Sequence, residues 1–293
     1  MPISHMHNPS SSSPGSRGFT LIEISIVMVI IAIVVGGVLV GNNLLRNARL
    51  GTILSDKEKY VNAVEQFKTK YKSLPGDMAN ATQIWGAENA DFTACALLTT
   101  PSTTKATCDG DGDDSIAQVP ESIMASGGDE IRHEYFRAWQ HLANAGLIEG
   151  SFSGVNECDT TGGGIACYKA GKNAPLSDLR NTTWALFDMA SLAAIPSYIF
   201  SGSQYRHVMY YGGENAGNDM PFGRMLIPKE AWNLDYKADD GLPGKGHIMT
   251  IEPVAVTTWN NKNDCATDTD PDVAIYDVAN TENECMLLFR LPF

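Results

Sequence analysis

The sequence predicts an α+β protein in which a long N-terminal helix precedes a globular head of strands and additional helices. Three observations lead to this fold class. An uninterrupted apolar run covers residues 19–40. An amphipathic helical pattern continues from it to residue 72, and Leu74-Pro75-Gly76 then ends the helix. Short apolar segments typical of strands follow late in the chain.

The apolar run of residues 19–40 has the length of a membrane-spanning helix. At about 1.5 Å per residue, its 22 residues cover the ~30 Å hydrocarbon core of a bilayer. The run has no polar face, which excludes an amphipathic core helix. Glu23 is its only ionisable side chain. Because a carboxylate at bilayer depth costs about 2.5–3.5 kcal/mol on insertion scales, Glu23 is a functional candidate.

The helical pattern of residues 41–72 is amphipathic. Its apolar side chains recur at helical spacing and form one stripe, made of Ile53, Tyr60, Val64, Phe67 and Tyr71. Charged side chains occupy the other faces. We therefore expect this half of the helix to be the support on which the sheet of the head packs. Glycines at positions 36, 37 and 41 weaken the helix where the two halves meet.

The head is predicted to contain two more helices and several strands. Residues 77–128 have the composition of an irregular connection. The predicted helices are Asp129–Ala145 and Leu179–Ala194. The predicted strands are Tyr198–Phe200, His207–Tyr211, Gly223–Ile227, His247–Ile251 and Met286–Leu291.

Charge is unevenly distributed along the chain. Residues 1–72 carry a net charge of +4 and residues 73–293 a net charge of −17, within an overall charge of −13. A head this acidic would be repelled by phosphates, so no nucleic-acid partner is expected. Excess carboxylates are typical of a soluble head outside the cytoplasm.

Residues 17–23, Arg-Gly-Phe-Thr-Leu-Ile-Glu, and the apolar run after them resemble the class III signal of the type IV pilin and pseudopilin superfamily. The resemblance implies that a prepilin peptidase cuts between Gly18 and Phe19 and that the new amine of Phe19 is N-methylated. Residues 1–18 would be the leader peptide. This leader is polar and lacks the apolar segment of an ordinary secretory signal. The apolar helix is retained after the cut.

The same resemblance implies the remaining domain organisation. Residues 19–72 would form one long helix, transmembrane over 19–40 and amphipathic over 41–72. Residues 73–293 would form an extracytoplasmic pilin-like head with an antiparallel sheet. Residues 230–246 also resemble the short helix and turn that precede a late strand in large pilin-like proteins.

The resemblance further implies a role in assembly for Glu23. Cleavage creates an ammonium at Phe19 that is also surrounded by lipid, and the pairing of two opposite charges is less costly there than two lone ones. Glu23 would pair with the ammonium of a neighbouring subunit. The protein would then be a structural subunit of a type IV pilus or a type II secretion pseudopilus.

The expected partners and location follow from that role. The partners are further copies in a homo-oligomeric helical filament, other pilins, the prepilin peptidase, an inner-membrane assembly platform and membrane lipid. The chain would cross the bacterial inner membrane once, with a periplasmic head, before it enters an extracellular or periplasmic filament.

The alternative class is a membrane-anchored exported binding protein or enzyme that uses the pilin-type signal only for delivery. A catalytic constellation in the head would favour it. Phe152 stands where a nucleophile-elbow motif within Gly150–Gly154 needs serine. Arg137 stands where a zincin helix starting at His133 needs its second histidine. We therefore expect no catalytic residues and no enzyme activity.

The six cysteines lie beyond the apolar run and fall into three near pairs. Six cysteines allow fifteen connectivities. Proximity favours Cys95–Cys108, Cys158–Cys167 and Cys265–Cys285, and an oxidising compartment outside the cytoplasm permits disulfides. Thiolate ligation of a metal is disfavoured because no C-x-x-C spacing occurs.

Two acidic loops are candidate calcium sites. Asp109, Asp111 and Asp113 take positions 1, 3 and 5 of a calcium loop, but Asp114 at position 6 and Pro120 at position 12 exclude a full EF-hand. A similar alternation recurs in the C-terminal cysteine loop, near where major pseudopilins bind calcium. The predicted ligands are Asp109, Asp111, Asp113, Asp114, Asp268, Asp270 and Asp272. The alternative for both loops is a solvated acidic turn. Ca²⁺ is the only cofactor expected.

Overall fold

The computed structural model describes residues 18–89, 95, 104–117, 133–155, 168–189, 206–214, 221, 223–250, 265–268 and 270–293. In this part of the chain the helices are α1 (Leu21–Tyr71), α2 (Ala81–Trp85), α3 (His133–Asn144) and α4 (Pro228–Ala238). The strands are β1 (Thr182–Asp188), β2 (His207–Gly213), β3 (Ile248–Met249) and β4 (Leu287–Arg290). Contacts divide the chain into two units, Met1–Ala48 and Arg49–Phe293.

The part of α1 that belongs to the first unit is apolar and uncovered. Its most apolar window has a mean hydropathy of 3.0, and none of that window is buried. By length and composition this helix can cross a membrane. The helix continues through Gly36, Gly37 and Gly41 without a break.

The part of α1 in the second unit forms one side of the head's core. Its buried side chains are Leu50, Ile53, Tyr60, Val61, Ala63, Val64 and Phe67. They include four of the five residues of the predicted stripe, and the fifth, Tyr71, is half-buried. The helix ends at Tyr71, where Lys72 adopts a left-handed φ of 59° and its N–H still reaches the carbonyl of Lys68 at 2.9 Å.

The head contains a four-stranded antiparallel sheet with the order β1-β2-β4-β3. Tyr210 of β2 lies opposite Ala185 of β1 on one side and Leu288 of β4 on the other. Every residue of β1 and β2 is buried. Both faces of these strands are therefore covered by the rest of the head.

The predicted helix over Leu179–Ala194 is wrong, because Thr182–Asp188 of this segment is strand β1. A strand that is buried on both faces shows no alternation of apolar and polar residues, so the period-2 signal that marks a strand was missing. Residues 190–194 lie outside the described part of the chain.

The other predicted elements agree more closely with the structure. The helix predicted for Asp129–Ala145 is present as α3, and the strands predicted at His207 and Met286 are present as β2 and β4. The strand predicted at His247 is shortened to the two residues of β3. The segment Gly223–Ile227 forms only isolated bridges, at Gly223 and Leu226. The strand predicted for Tyr198–Phe200 lies outside the described residues.

An aromatic cluster joins α1, α3 and the sheet at the centre of the core. The ring of Tyr60 in α1 meets Trp139 of α3 edge-on, with centroids 5.2 Å apart. It meets Trp184 of β1 in the same way at 5.5 Å. Trp184 also contacts Tyr211 of β2 and Phe289 of β4. Both tryptophans are fully buried, so this cluster links every layer of the head.

Two of the three predicted disulfides are present in the structure. Cys95 bonds to Cys108, with Cα atoms 5.8 Å apart. Cys265 bonds to Cys285, with Cα atoms 5.1 Å apart. The predicted pair Cys158–Cys167 lies outside the described residues.

Trp139→Ala should destabilise the head strongly, because it leaves a cavity beside Tyr60 in a close-packed core. We expect the free energy of unfolding to fall by about 3–5 kcal/mol, the range for a buried tryptophan. The measurement is denaturant unfolding of the full chain in detergent. Tyr236→Ala is the matched control, since the side chain of Tyr236 is 66% exposed. Equal losses in both variants would contradict a core centred on Trp139.

Candidate functional sites

Thr20 and Glu23 form a capping box at the start of α1. The Glu23 carboxylate accepts hydrogen bonds from the Thr20 N–H and the Thr20 hydroxyl, both at 2.8 Å. The Thr20 hydroxyl oxygen in turn accepts the Glu23 N–H at 3.3 Å. Two N–H groups at the helix N-terminus are thereby satisfied. The pattern T-x-x-E is typical of such a box, a role of Glu23 that adds to its predicted role as a charge in the membrane.

The predicted cleavage point lies immediately before this box. Gly18 and Phe19 are both exposed, and Phe19 is 82% exposed. Among the described residues, nothing lies within 4 Å of the position that a Cβ on Gly18 would take. Thr20 and Glu23 both lie after the cut, which means that cleavage at Gly18 keeps the capping box.

In the first acidic loop, residues 109–117, the chain folds around the buried carboxylate of Asp77. One carboxylate oxygen of Asp77 accepts the N–H groups of Gly112 at 2.7 Å and Asp113 at 3.0 Å. The other accepts the N–H of Asp114 at 3.1 Å. Asp77 is 1% exposed. This residue, which the sequence analysis did not select, therefore organises the loop.

Glu134 of α3 holds the same loop from the other side. Its carboxylate accepts the N–H of Asp111 at 3.2 Å and the N–H of Ala117 at 2.7 Å. Glu134 is fully buried. The sequence distances from Asp77 and Glu134 to the loop are too long for any local pattern to reveal them. Only the fold brings the two carboxylates to the loop.

The structure brings Asp111 and Asp113 together with Asp77. One carboxylate oxygen from each of the three lies within 4.8 Å of the others, a spacing that can hold a metal ion. Asp109 is placed elsewhere: it accepts the N–H and the hydroxyl of Thr82, at 2.7 and 2.9 Å, in the first turn of α2. Within the described residues neither Asp109 nor Asp114 belongs to this triad.

Burial and mutual repulsion favour the protonated forms of the two buried acids at this loop. Burial raises the pKa of Glu134 to about 9, and the nearby Asp77 and Asp111 add to the increase. Burial also raises the pKa of Asp77 to about 7, with further contributions from Asp113 and Asp111. A divalent cation would favour the ionised forms and would release protons on binding.

The second predicted calcium loop is arranged differently. Asp268 and Asp270 accept the N–H groups of Asp270 and Asp272, each at 2.9 Å, as in ordinary turns. Asp272 pairs with the ammonium of Lys245 at 2.5 Å. All three aspartates are exposed, and within the described residues they form no triad of converging oxygens.

Another acidic triad lies at the end of α4, where the sequence predicted only a turn. Asp235, Asp239 and Asp240 bring three carboxylate oxygens within 4.8 Å of one another. They also make the hydrogen bonds of a turn: Asp235 accepts the N–H of Gly241 at 3.1 Å, and Asp240 accepts the N–H of Leu242 at 2.9 Å. Asp235 further accepts the hydroxyl of the distant Tyr276 at 2.9 Å. Burial raises the pKa of Asp235 to about 7.

Arg137, which replaces the second histidine of the zincin-like motif, belongs to a buried structural network. Arg137 donates to Glu88 at 2.5 Å and to Gln140 at 2.8 Å. Gln140 also accepts the hydroxyl of Thr107 at 2.7 Å, next to the Cys95–Cys108 disulfide. His141 accepts the N–H of Gly76 at 3.0 Å. The network attaches two segments to α3: the segment that contains Cys108 of the Cys95–Cys108 disulfide, and the turn at Gly76 that follows α1.

Comparison with known families identifies the N-terminal segment. The prokaryotic N-terminal methylation motif matches residues 14–39. The chain carries a class III prepilin signal. This signal is typical of the type IV pilin and pseudopilin superfamily, and it implies processing by a prepilin peptidase and export as a membrane-anchored protein. No curated protein and no solved structure matched the chain.

Gly18→Trp should leave the leader attached, because the large side chain would obstruct the peptidase at the bond to be cut. We expect the unchanged chain to lose residues 1–18 and to gain one methyl group on Phe19, as read by intact mass. Gly15→Trp makes the same change three residues upstream and should be processed normally. Loss of the leader from Gly18→Trp would show that the cut lies elsewhere.

Proposed function

We propose that the protein is a filament subunit, either of a type IV pilus or of a type II secretion pseudopilus. The observation that carries this proposal is a prepilin signal joined to an apolar helix that no part of the described chain covers. Neighbouring copies, and other pilins, would cover this helix after an inner-membrane assembly platform moves the subunit out of the lipid. Before assembly the head would be periplasmic.

The capping box supports a specific role for Glu23. Inside lipid, a lone carboxylate is costly, and the hydrogen bonds from Thr20 reduce that cost within the subunit. They leave the negative charge in place one turn from the Phe19 amine created by cleavage. We propose that an incoming subunit supplies its Phe19 ammonium to this carboxylate and that this pairing sets its position in the filament.

We also propose that the chain has no catalytic activity of its own. Two side chains of α3 that could serve in catalysis or metal ligation, Glu134 and His141, instead accept backbone N–H groups of neighbouring loops. Arg137 pairs with Glu88 in the buried network. These contacts give the enzyme-like motif a structural explanation and favour the filament subunit over an exported enzyme.

Calcium binding at the first acidic loop is the cofactor proposal that the geometry supports best. Asp111, Asp113 and the buried Asp77 offer converging oxygens, and the loop is already shaped by Asp77 and Glu134. A bound Ca²⁺ would offset the repulsion between these carboxylates inside an acidic head. The exposed Asp268, Asp270 and Asp272 offer no comparable arrangement.

Glu23→Ala should be cleaved and remain in the membrane but assemble poorly. The alanine makes lipid insertion easier and removes the partner of a neighbour's Phe19 ammonium. The measurement is electron microscopy of surface and sheared filaments from cells that carry the gene, lack it, or carry the variant. Ser25→Ala is the matched control, because the Ser25 hydroxyl bonds only locally, to the carbonyl of Ile22 at 2.9 Å.

One outcome would count against the proposed Glu23 pairing and another against the filament role. Wild-type filament yield from Glu23→Ala would show that the pairing does not recruit subunits. Surface filaments that are unchanged when the gene is absent would rule out a major pilus subunit. Filaments that depend on this gene only when secretion genes are overexpressed would assign it to a pseudopilus.

The mature chain in detergent should melt at a higher temperature in millimolar Ca²⁺ than in chelator. Binding to the folded state alone stabilises it by about 2.7 kcal/mol when the ligand is in hundredfold excess over Kd. Asp111→Ala combined with Asp113→Ala should remove most of this gain. The matched double change, Asp268→Ala with Asp270→Ala, should remove less. Equal melting temperatures with Ca²⁺ and with chelator would leave the first loop a solvated acidic turn.

A further inference from the structure

The part of α1 that follows the apolar run carries positive charge only. Arg46 and Arg49 are the only ionisable side chains between Glu23 and Asp56. Residues 24–55 therefore have two positive charges and no negative one, in a chain whose net charge is −13. Arginines placed directly after a membrane-spanning segment are attracted to negatively charged headgroups. This local excess of positive charge points to an anionic partner.

Helix geometry brings both arginines and an asparagine to one face of α1. Asn42, Arg46 and Arg49 follow one another at intervals of four and three residues within the helix. At about 100° per residue they lie within about 60° of one another around the axis, one turn apart. Asn42 and Arg49 are exposed and Arg46 is half-buried. Leu44, which is 69% exposed, lies about 140–160° away, so the opposite face is apolar.

The position of this face along the chain places it at the lipid headgroups. The apolar run of residues 19–40 is about as long as the hydrocarbon core is thick, and the headgroup layer on each side adds about 5–8 Å. Arg46 and Arg49 follow the run by six and nine residues, or about 9 and 14 Å of helix. Side chains of a helix lean toward its N-terminus, which is the membrane side here. Both guanidinium groups can therefore reach back into the headgroup layer.

The donors on this face match a phosphate group. Guanidinium groups present planar forks of N–H donors that suit phosphate oxygens, and the amide of Asn42 adds two more donors. Along α1 the next carboxylate is that of Asp56, about 10 Å beyond Arg49. A free phosphate ion offers the same oxygens, but lipid phosphates are concentrated at this depth by the bilayer. The apolar face at Leu44 also favours a partner that carries acyl chains.

We propose that Asn42, Arg46 and Arg49 bind the headgroup of an anionic phospholipid in the leaflet on the exported side of the membrane. The contact would hold α1 at a fixed depth in the bilayer and keep the residues before Asn42 within the hydrocarbon. This inference needs only the membrane anchorage that the prepilin signal implies, and it does not depend on the filament role.

The test is native mass spectrometry of the full chain in detergent with added dioleoylphosphatidylglycerol, which is anionic, or dioleoylphosphatidylcholine, which is zwitterionic. The two lipids have the same acyl chains. Because each arginine near an anionic surface changes binding by about fivefold, we expect the unchanged chain to prefer phosphatidylglycerol by about 10- to 30-fold. Arg46→Gln combined with Arg49→Gln should reduce this preference to below about threefold. Raised salt should weaken the preference of the unchanged chain.

Lys59→Gln combined with Lys70→Gln is the matched control, because it removes the same charge from exposed positions further along α1. It should keep the full preference, and equal melting temperatures would show that both double variants fold. Equal binding of the two lipids by the unchanged chain, or an undiminished preference in the arginine variant, would overturn the lipid site.

Two further results would assign the face to another occupant and would also overturn the proposal. Displacement of phosphatidylglycerol by millimolar inorganic phosphate would indicate a site for the free ion. The same spectra report the oligomeric state, so loss of dimers without loss of bound lipid in the arginine variant would indicate a second copy of the chain.

Discussion

The apolar half of α1 must be kept out of water, and this requirement governs the rest of the structure. Its side chains from Phe19 to Leu45 are exposed, and no part of the head that the structure describes covers them. Only lipid or other apolar helices can surround such a surface without a large cost. The one charge within it, Glu23, is already held by Thr20. The export signal and the membrane anchorage that it implies therefore both answer the same problem, which is how to keep this apolar surface out of water.

The head uses the other half of the same helix as part of its core. Tyr60 contacts both Trp139 and Trp184, so α1 is as integral to the head as the sheet is. The acidic loops are attached to this core with different strength. Asp77 and Glu134 are buried and hold the first loop from inside, whereas Asp268, Asp270 and Asp272 are exposed, and Asp272 pairs with Lys245. The two loops look alike in sequence. They differ because buried carboxylates from other parts of the fold hold the first loop, whereas the second is exposed.

Sequence reasoning succeeded where the signal was local. The prepilin signal, the long helix and the two disulfides Cys95–Cys108 and Cys265–Cys285 all depend on residues close together in the chain. It failed at β1, since burial of Thr182–Asp188 on both faces removes the alternation that marks a strand. Asp77 and Glu134 could not be found, because their contacts with the first acidic loop cross long stretches of chain. The T-x-x-E spacing of Thr20 and Glu23 is enough to predict their capping box, but Glu23 was interpreted only as a charge in the membrane.

The strand order has a consequence for how the head matures after export. β4 lies between β2 and β3, although it follows both of them in the chain. Strand β3 pairs with β4 in this sheet, so the ladder of β3 forms only after Leu287–Arg290 has crossed the membrane. Until then the edge of β2 that pairs with β4 has no partner strand, and pairing with another chain competes with folding. Protection of the newly exported chain would matter most during the interval between translocation of β2 and arrival of β4.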